Sequence, residues 1–554
     1  LFVPTELAMA SAELPRPIRS VMRQMGIGEL TEPQRKAIPL IMAGKNVLLI
    51  APTGSGKTEA ALLPILGKLA ELKERGGISL LYITPLRALN RDILRRILAW
   101  GDRLGLSVDV RHGDTPASMR RKQALKPPDI LITTPETLQA ILPGGRMQGN
   151  LKAIRWLVVD EVHEIAESKR GAQRAVGLER LKDVIGRDFQ RIGLSATVGT
   201  PEKVAGLLAG SGGKVEIVHV PVPKGYSYWV QWPQITEEDI ELSSSLTTSP
   251  DAAARIATIK ELADTHTSTL IFVNSRQIAE MLALRLGSLD PKISIHHGSI
   301  SREERERIEE NFKKGAVKAL VCTSTLELGI DIGRVEYVIQ FGSPREVSRL
   351  VQRVGRAGHQ LHTISRGTIL TTGFDDTLES MVIARMAKEN RVEPVVPHAG
   401  AADTLANQVA AMAVEYGEIS RTRLPEILSR SGCYRDSGDL LEKVCEQMAS
   451  HRLIRTDGDL LWRTARTRRY LTENLSMIHD EKKIRVFDMV TRRTVATLDE
   501  SFVAGWAYTG AVFIAKGQLW RILDMDGERI TVEPARKAKG ELPSWEGEQI
   551  PVPF

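Results

Sequence analysis

The chain has little of what characterises small secreted proteins or membrane proteins. It holds three cysteines among 554 residues, none in a CxxC pair and none at zinc-finger spacing from a histidine. No apolar run reaches the roughly 18–20 residues that span a bilayer, and residues 1–17 lack the basic segment that opens a signal peptide. These absences argue against a disulfide scaffold, a structural zinc site and a membrane protein, and they predict a cytoplasmic location.

The composition is otherwise ordinary, with a modest basic excess. Hydrophobic residues make up 42 % of the chain and charged residues 26 %, and the net charge is +7. At roughly 150 residues per domain, the length predicts three or four domains. The charge permits a polyanionic partner such as a nucleic acid without requiring one.

Short apolar runs alternate with helical patterns in two consecutive series, which is typical of doubly wound α/β domains. The first series predicts strands at 47–50, 80–83, 130–132, 156–159 and 192–194. The second predicts strands at 269–273, 293–295, 319–321, 337–341 and 368–371. In such sheets, ligands bind at the carboxyl ends of the strands.

Four regions follow from these patterns. Residues 1–220 form a first α/β domain, and residues 221–395 form a linker, placed in the Pro- and Ser/Thr-rich segment 220–249, and a second α/β domain. Residues 396–470 predict three helices and a hairpin around Asp457-Gly458, the pattern of a winged helix. Residues 471–554 are β-rich without a closing element, so we expect the truncated start of a further domain.

The strongest chemical signal is a Gly-rich loop between a predicted strand and a predicted helix. It reads Ala51-Pro52-Thr53-Gly54-Ser55-Gly56-Lys57-Thr58. In a P-loop of this kind, glycines let backbone N–H groups face phosphate oxygens, and the helix N-terminus adds its dipole. We expect Lys57 to reach the β- and γ-phosphates of ATP and Thr58 to ligate Mg²⁺, although Ala51 replaces the first glycine of the general pattern.

Two acidic residues follow the strand predicted at 156–159. Asp160 is placed to hold Mg²⁺, and Glu161 is placed to orient or deprotonate an attacking water. A DE pair alone is common, but downstream of a P-loop in one α/β domain it predicts nucleotide hydrolysis.

Two arginines of the second series lie three residues apart, in Gln352-Arg353-Val354-Gly355-Arg356. This spacing puts both guanidiniums on one helical face, where they can neutralise charge on a γ-phosphate. Since the P-loop lies in the first series, the pair predicts that nucleotide state is coupled to closure of the two domains. A purely structural arginine pair is the alternative.

From residue 30 to residue 359 the chain resembles the superfamily 2 helicases motif by motif, which implies two RecA-like motor domains in tandem. The matching strings are Gln34 (Q-motif), Pro85-Leu86-Arg87 (Ia), Thr133-Thr134-Pro135-Glu136 (Ib), Asp160-Glu161-Val162-His163 (II), Ser195-Ala196-Thr197 (III), Asn274-Ser275-Arg276 (IV), 323–331 (V) and 352–359 (VI). His296-His297-Gly298 stands where the family has a similar element.

The resemblance implies a role for each matching residue. Gln34 would read adenine, and Gly329 and Asp331 would join the P-loop in the nucleotide site. Nucleic-acid contacts would come from Pro85, Arg87, Thr133, Thr134, Ser275, Arg276, Thr323 and Ser324. Coupling of hydrolysis to strand movement would involve His163, Ser195, Ala196, Thr197 and Gln352.

Within that superfamily, the chain looks most like the large helicase-related (Lhr) family. Motif II reads Asp-Glu-Val-His, motif VI ends in Gly358-His359, and the string Asn474-Leu475-Ser476-Met477-Ile478 follows the winged-helix-like segment. The resemblance implies a 3′-to-5′ translocase that loads on single-stranded DNA and unwinds DNA or RNA:DNA duplexes. The P-loop and the acidic pair predict ATP and Mg²⁺ as cofactors. Repair, recombination and R-loop removal all fit such a translocase, and we expect DNA repair.

Three alternatives share part of the pattern. An RNA-directed helicase or remodelling ATPase would use the same motor, with RNA as its partner. A nucleic-acid-binding scaffold would have a degenerate ATP site, against which Lys57, Asp160, Glu161 and Arg356 argue. A small-molecule P-loop kinase would leave the second α/β domain unexplained.

Overall fold

The computed structural model describes residues 14–52, 54–85, 87–196, 198–220, 225–327, 332–358, 364–477, 483–526 and 529–535, without the side chains of 87–92, 165 and 501. The chain divides into two compact units. The first unit joins Leu1–Val222 to Pro394–His479, and the second joins Pro223–Glu393 to Asp480–Phe554. Each α/β domain therefore carries one of the two C-terminal regions.

Within the described residues, seven parallel strands form the sheet of the first α/β domain, in the order β3-β4-β2-β5-β6-β1-β7. They are β1 Val47–Ile50, β2 Leu80–Ile83, β3 Val108–Arg111, β4 Ile130–Thr133, β5 Trp156–Val159, β6 Gln190–Ser195 and β7 Glu216–His219. The interior strands are apolar and buried, so the apolar runs located them. The partly exposed edge strands β3 and β7 lack such runs and were not predicted.

Alternate residues of β1 contribute to separate hydrophobic cores. Leu48 and Ile50 belong to one cluster, and Val47 and Leu49 to another, as expected for a sheet covered by helices on both faces. The helices are Arg16–Gln24, Glu32–Met42, Lys57–Ala70, Arg87–Leu104, Ala117–Leu125, Pro135–Ile141, Gly145–Leu151, Lys169–Ile185 and Pro201–Ala209, with a 3₁₀ turn at Val162–Ile165.

The described part of the second α/β domain contains six parallel strands, in the order β10-β11-β9-β12-β13-β8. They are β8 Tyr226–Gln231, β9 Thr269–Phe272, β10 Ile293–His296, β11 Ala319–Cys322, β12 Tyr337–Phe341 and β13 Ser365–Leu370. The helices are Glu237–Leu246, Pro250–Asp264, Arg276–Leu289, Arg302–Lys313, Val347–Val354 and Phe374–Lys388, with a 3₁₀ turn at Ser324–Leu326. No helix in the described ranges is long and apolar enough to cross a membrane.

The linker prediction for residues 220–249 is wrong over much of its length. Strand β8 pairs in parallel with β13 at the sheet edge, and a helix follows it at Glu237–Leu246. Pro223 and Pro233 flank β8 in the sequence without interrupting it. Proline is tolerated beside an edge strand, so the Pro-rich composition concealed this strand.

The winged-helix prediction is confirmed, and this region belongs to the first unit. Its helices are Ala402–Tyr416, Arg423–Arg430, Gly438–Ser450 and Ala465–Glu473, and its antiparallel strands, in the order β14-β16-β15, are β14 Glu418–Ser420, β15 Ile454–Asp457 and β16 Leu460–Arg463. A fully buried ion pair of 2.8 Å joins Arg180 of the first α/β domain to Glu415. Nη1 of Arg180 also donates to Gln139 and Gln408, so a buried polar network anchors the winged helix.

The β-rich prediction is also confirmed, and this region belongs to the second unit. In the described ranges its sheet order is β18-β17-β21-β20-β19, with only β17 and β21 parallel. The strands are β17 Lys483–Asp488, β18 Arg493–Asp499, β19 Val512–Ala515, β20 Gln518–Asp526 and β21 Arg529–Pro534, with a helix at Glu500–Trp506. The exact domain boundaries stay predictions.

Candidate nucleotide and nucleic-acid site

The P-loop follows β1 and leads into the Lys57–Ala70 helix, as its sequence predicts. Gly54 and Gly56 have φ of 79° and 86°, a region that glycine enters without the steric cost of a side chain. The Ser55 hydroxyl donates to the Pro52 carbonyl at 2.7 Å. The buried Nζ of Lys57 donates to the Ala51 carbonyl at 2.7 Å, so the ammonium lies over the loop that would cradle phosphates.

Gln34 is held against the P-loop by hydrogen bonds at both ends of its amide. Its Oε1 accepts from the Thr31 backbone N–H at 3.0 Å, and its Nε2 donates to the Gly56 carbonyl at 3.3 Å. A Cβ on Gly56 would lie 2.6 Å from that Nε2. Glycine is therefore needed at position 56 for its conformation and for this contact.

The two acidic residues of motif II differ in how their carboxylates are satisfied. Asp160 accepts from the Tyr82 hydroxyl at 2.7 Å and from the Glu161 N–H at 3.0 Å. Burial, followed by the neighbouring Glu161 charge, raises the pKa of Asp160 to about 6. Among the described residues, the buried Oε2 of Glu161 has no hydrogen-bond partner, and its backbone is left-handed, with φ of 44°. A strained backbone and an unpaired buried acceptor are typical of a functional site.

Motif II is connected to motif III through His163. Its Nδ1 lies 2.9 Å from the Ser195 hydroxyl, and its Nε2 lies 3.1 Å from Glu164. Burial alone would lower the pKa of His163, but the carboxylates of Glu164 and Glu161 outweigh it, so the net shift is upward. The neighbouring Ala196 is buried.

Motifs Ia and Ib are linked by Arg170, which sequence reasoning missed. Its Nη2 donates to the Pro85 carbonyl at 3.1 Å, and its Nε donates to Glu136 at 2.7 Å. Arg170 lies in the Lys169–Ile185 helix after motif II, where no motif marks it.

The hydroxyls of Thr133 and Thr134 are both used inside the first α/β domain. Thr133 donates to the Arg111 carbonyl at 2.8 Å, and Thr134 caps the Pro135–Ile141 helix by accepting from the Thr137 N–H. Their contact with nucleic acid stays a prediction, and backbone N–H groups would have to supply it.

In the second α/β domain, Arg353 joins motifs IV, V and VI. Its guanidinium is 1 % exposed and contacts the Glu327 carboxylate through both Nε, at 2.6 Å, and Nη2. Its Nη1 donates to Asn274 at 3.0 Å and to Gln340 at 2.6 Å. Four of its five N–H groups are thus used by described residues.

Arg356 is held differently. Its Nε and Nη2 donate to the Glu327 backbone carbonyl at 3.1 and 2.7 Å. Sequence reasoning gave Arg353 and Arg356 the same role, whereas the structure ties Arg353 to the Glu327 carboxylate and Arg356 to the Glu327 backbone carbonyl.

The other predicted strand contacts of the second domain lie on two loops. Ser275 caps the Arg276–Leu289 helix by accepting from the Ile278 N–H, and Arg276 is half-buried. Thr323 is buried and Ser324 is exposed at the start of a 3₁₀ turn. Gln352 is half-buried in the Val347–Val354 helix. Thr53, Thr197, Gly329, Asp331 and the Arg87 side chain lie outside the described residues.

The residues present fit a magnesium ion. Among the described residues, no cluster of three or more His, Cys, Asp or Glu side chains could hold a metal by itself. Mg²⁺ needs fewer protein ligands, because it keeps waters and is shared with substrate phosphates. The adjacent buried carboxylates of Asp160 and Glu161, whose mutual repulsion helps to raise the Asp160 pKa, would gain from a cation, and Thr58 lies in the first turn of the Lys57–Ala70 helix.

Three family models match successive parts of the chain. A DEAD/DEAH box helicase model matches residues 31–204, and a helicase conserved C-terminal domain model matches residues 254–360. A model of the winged helix domain of large helicase-related protein matches residues 385–542. The solved Mycobacterium smegmatis helicase Lhr, bound to ssDNA and AMP-PNP, is 30 % identical with a TM-score of 0.76, and the match covers 94 % of this chain and 68 % of that one.

The chain belongs to the large helicase-related family. Among curated Lhr relatives, ATP-dependent helicase Lhr-Core protein 2 of Thermococcus barophilus is 36 % identical, over 97 % of this chain and 66 % of its own length. ATP-dependent helicase Lhr-Core of Sulfolobus acidocaldarius is 34 % identical, over 95 % and 62 %. The chain thus spans slightly less than two thirds of these Lhr proteins.

Proposed function

We propose that this chain is an ATP-dependent helicase that translocates 3′ to 5′ on single-stranded DNA and separates DNA or RNA:DNA duplexes in DNA repair, in the cytoplasm. The observation that carries the proposal is the arrangement of Lys57, Asp160 and Glu161 around the P-loop of a chain of the Lhr family. The DNA partner is supported by the M. smegmatis relative, which was solved with ssDNA and AMP-PNP.

In this proposal, the first α/β domain binds and hydrolyses ATP. Lys57 would leave the Ala51 carbonyl to pair with phosphate oxygens, and Gln34 would read adenine beside the P-loop. Glu161 would orient the attacking water through Oε2, which accepts no hydrogen bond from the described residues. Thr58 and Asp160 would hold Mg²⁺, which, when bound, neutralises charge on the phosphates.

The two motif VI arginines divide the remaining work. We assign charge compensation at the γ-phosphate to Arg356, whose Nε and Nη2 are oriented by the Glu327 backbone carbonyl. Arg353 is a positioning residue, because withdrawing it would leave Glu327 buried and unpaired. Arg353 would hold the motif V loop in a fixed position relative to motif VI.

Strand contacts in this proposal go to the nucleic-acid backbone. Backbone N–H groups of motifs Ia, Ib, IV and V and the helix-capping hydroxyl of Ser275 in motif IV suit phosphates rather than base edges. Such contacts predict little sequence preference and a strong dependence on salt.

The test measures ATP hydrolysis and strand displacement together on 3′-tailed, 5′-tailed and blunt duplexes of DNA, RNA:DNA and RNA, with Lys57→Ala as the inactive control. We expect strand-stimulated hydrolysis and displacement from 3′-tailed DNA and RNA:DNA substrates. Displacement only from 5′ tails would refute the polarity, and stimulation by RNA alone would favour an RNA-directed helicase. Nucleic-acid binding without hydrolysis would favour the scaffold.

A further inference from the structure

The β-rich region is attached to the second α/β domain through the six-residue segment 296–301. Ile300 forms an antiparallel bridge with Ala496 of β18. Backbone hydrogen bonds flank the bridge, from the Thr497 N–H to the Ser299 carbonyl at 2.8 Å and from the Ser301 N–H to the Val495 carbonyl at 3.1 Å. The segment therefore adds a short strand-like pairing to the edge of the β-rich sheet.

A second attachment converges on the buried carboxylate of Glu280, in the Arg276–Leu289 helix. Its Oε1 accepts from Nε2 of His297 at 2.7 Å and from the Lys516 N–H at 2.8 Å. Its Oε2 accepts from the Gly517 N–H at 2.5 Å. Because Nδ1 of His297 accepts from the Ser299 N–H, the ring is the Nε2–H tautomer and donates to Glu280. One carboxylate thus satisfies three donors from two regions.

The hairpin between β19 and β20 is shaped for this contact. Lys516 and Gly517 both have positive φ, 57° and 65°, which is the geometry of a two-residue type I′ turn. Such a turn leaves its two central N–H groups pointing outward, where Glu280 accepts them. A Cβ on Gly517 would lie 3.2 Å from the Ala283 side chain, and Nζ of Lys516 pairs with Glu304 at 2.6 Å.

The neighbouring histidine faces motif V. Nδ1 of His296 lies 3.0 Å from the Thr325 hydroxyl, and its Nε2 lies 3.0 Å from Glu309. Thr325 sits in the 3₁₀ turn of motif V, next to the predicted strand contacts Thr323 and Ser324. His296 and His297 are consecutive residues at the end of β10. His296 therefore contacts motif V, and His297 contacts the attachment of the β-rich region.

We propose that Glu280, His297 and the Lys516-Gly517 turn form a positioning joint that fixes the β-rich region on the second α/β domain and, through His296, fixes the motif V turn. The joint contains none of the residues assigned above to the nucleotide site. Its contribution to unwinding rests on the proposed strand contacts of motif V, whereas its effect on local structure does not.

Two substitutions open the joint in different ways. Glu280→Gln keeps the volume, but its NH₂ group faces an N–H donor in either orientation, because both carboxylate oxygens are acceptors. Gly517→Ala places a methyl group against Ala283 in a left-handed conformation. Gly458→Ala is the matched control, because Gly458 has φ of 56° in the β15–β16 turn but has no atom within 4 Å of its Cβ position.

The experiment measures amide hydrogen exchange and the number of duplexes separated per ATP hydrolysed on the whole chain and the three variants. In the parent chain, the amides of Lys516 and Gly517 should exchange about 10- to 150-fold more slowly than those of the exposed Gly458-Asp459 turn, the range for a hydrogen bond to a charged acceptor. Glu280→Gln and Gly517→Ala should remove this protection and speed exchange in residues 323–327. They should lower duplexes separated per ATP by about 2- to 30-fold, while the ATPase without nucleic acid stays at the parent level.

Two results would overturn the proposal. One is equal exchange at the two turns in the parent chain. The other is a Glu280→Gln variant that matches Gly458→Ala in both motif V exchange and duplexes separated per ATP. If the parent chain separates no duplex, the proposed function fails, and the exchange at residues 323–327 still decides whether the joint holds motif V.

Discussion

In the first α/β domain, Oε2 of Glu161 is buried with no hydrogen-bond partner among the described residues, whereas in the second the Arg353 guanidinium makes four contacts with Glu327, Asn274 and Gln340. Leaving a buried polar atom unpaired costs about 1–3 kcal/mol. Nδ1 of His163 lies 3.7 Å from this Oε2, too far for a hydrogen bond, so a bound water would satisfy the atom, while the second domain uses the charge of Arg353 for its own stability. Membership in a motif consequently does not assign a role until the partners of each side chain are known.

The largest effect expected from this comparison is on turnover. Arg356→Ala should lower ATP turnover by about 10³- to 10⁵-fold if Arg356 acts as an arginine finger. Steady-state hydrolysis with saturating single-stranded DNA measures this, and Arg366→Ala, which removes an exposed arginine of β13, should match the parent chain. A tenfold or smaller loss in Arg356→Ala would remove the distinction between the two arginines.

Arg353 should behave as a stability residue. Arg353→Ala leaves the Glu327 charge buried without its partner, so the free energy of unfolding of the second unit should fall by about 3–5 kcal/mol. Urea unfolding measures this loss, and adding Glu327→Gln should restore part of it because the unpaired charge is then removed. A double variant no more stable than Arg353→Ala would show that the ion pair is not the cause.

The first domain can be tested through the protonation of Asp160. Its pKa is about 6, and the Tyr82 hydrogen bond lowers it against burial and the Glu161 charge. Since Mg²⁺ requires the ionised carboxylate, kcat/KM for ATP should fall as the pH drops through about 6. Tyr82→Phe removes a hydrogen bond to the charged Asp160 carboxylate. The acidic limb of the kcat/KM profile should therefore move upward by about 1–2 pH units.

The control for that pH profile is Tyr228→Phe. The Tyr228 hydroxyl is buried in the second unit, and it has no hydrogen-bond partner among the described residues, so the acidic limb should not move. If the acidic limb of kcat/KM is also unchanged in Tyr82→Phe, Asp160 does not control the pH dependence.

The smallest effect concerns the entry into the winged helix. Thr200 donates to the Val395 carbonyl at 3.1 Å and accepts from the Val395 N–H at 2.9 Å. Thr200→Val removes both bonds with little change in volume and should cost about 1 kcal/mol in the unfolding of the first unit. The control is Thr472→Val, which alters an exposed helical threonine. Equal urea midpoints for Thr200→Val and Thr472→Val would show that the Thr200–Val395 hydrogen bonds contribute nothing to stability.

Much of the fold was predictable because buried parallel strands are continuous apolar runs. The same reasoning missed β3, β7 and β8, since edge strands need not be apolar. It placed the β-rich region correctly in the chain but could not assign it to the second unit, because the attachment depends on contacts between distant segments, the Ile300–Ala496 bridge and the buried carboxylate of Glu280.

The residues of the candidate site also differ in how far local sequence predicts them. Lys57, Asp160 and Glu161 follow directly from contiguous motifs at strand ends. The partners of Arg353 come from motifs up to 79 residues apart in the chain, and Arg170 lies outside any motif. Such long-range pairings depend on how the loops pack, which local spacing does not determine.

The most direct test of the central claim, that the first domain hydrolyses ATP through Glu161, is ATP binding and single-turnover hydrolysis by Glu161→Gln. The substitution keeps the shape of the side chain but removes its capacity as a base. We expect nucleotide affinity close to that of the parent chain and hydrolysis slower by about 10²- to 10⁴-fold. Hydrolysis at the parent rate would contradict the assignment of Glu161 and with it the proposed chemistry of the site.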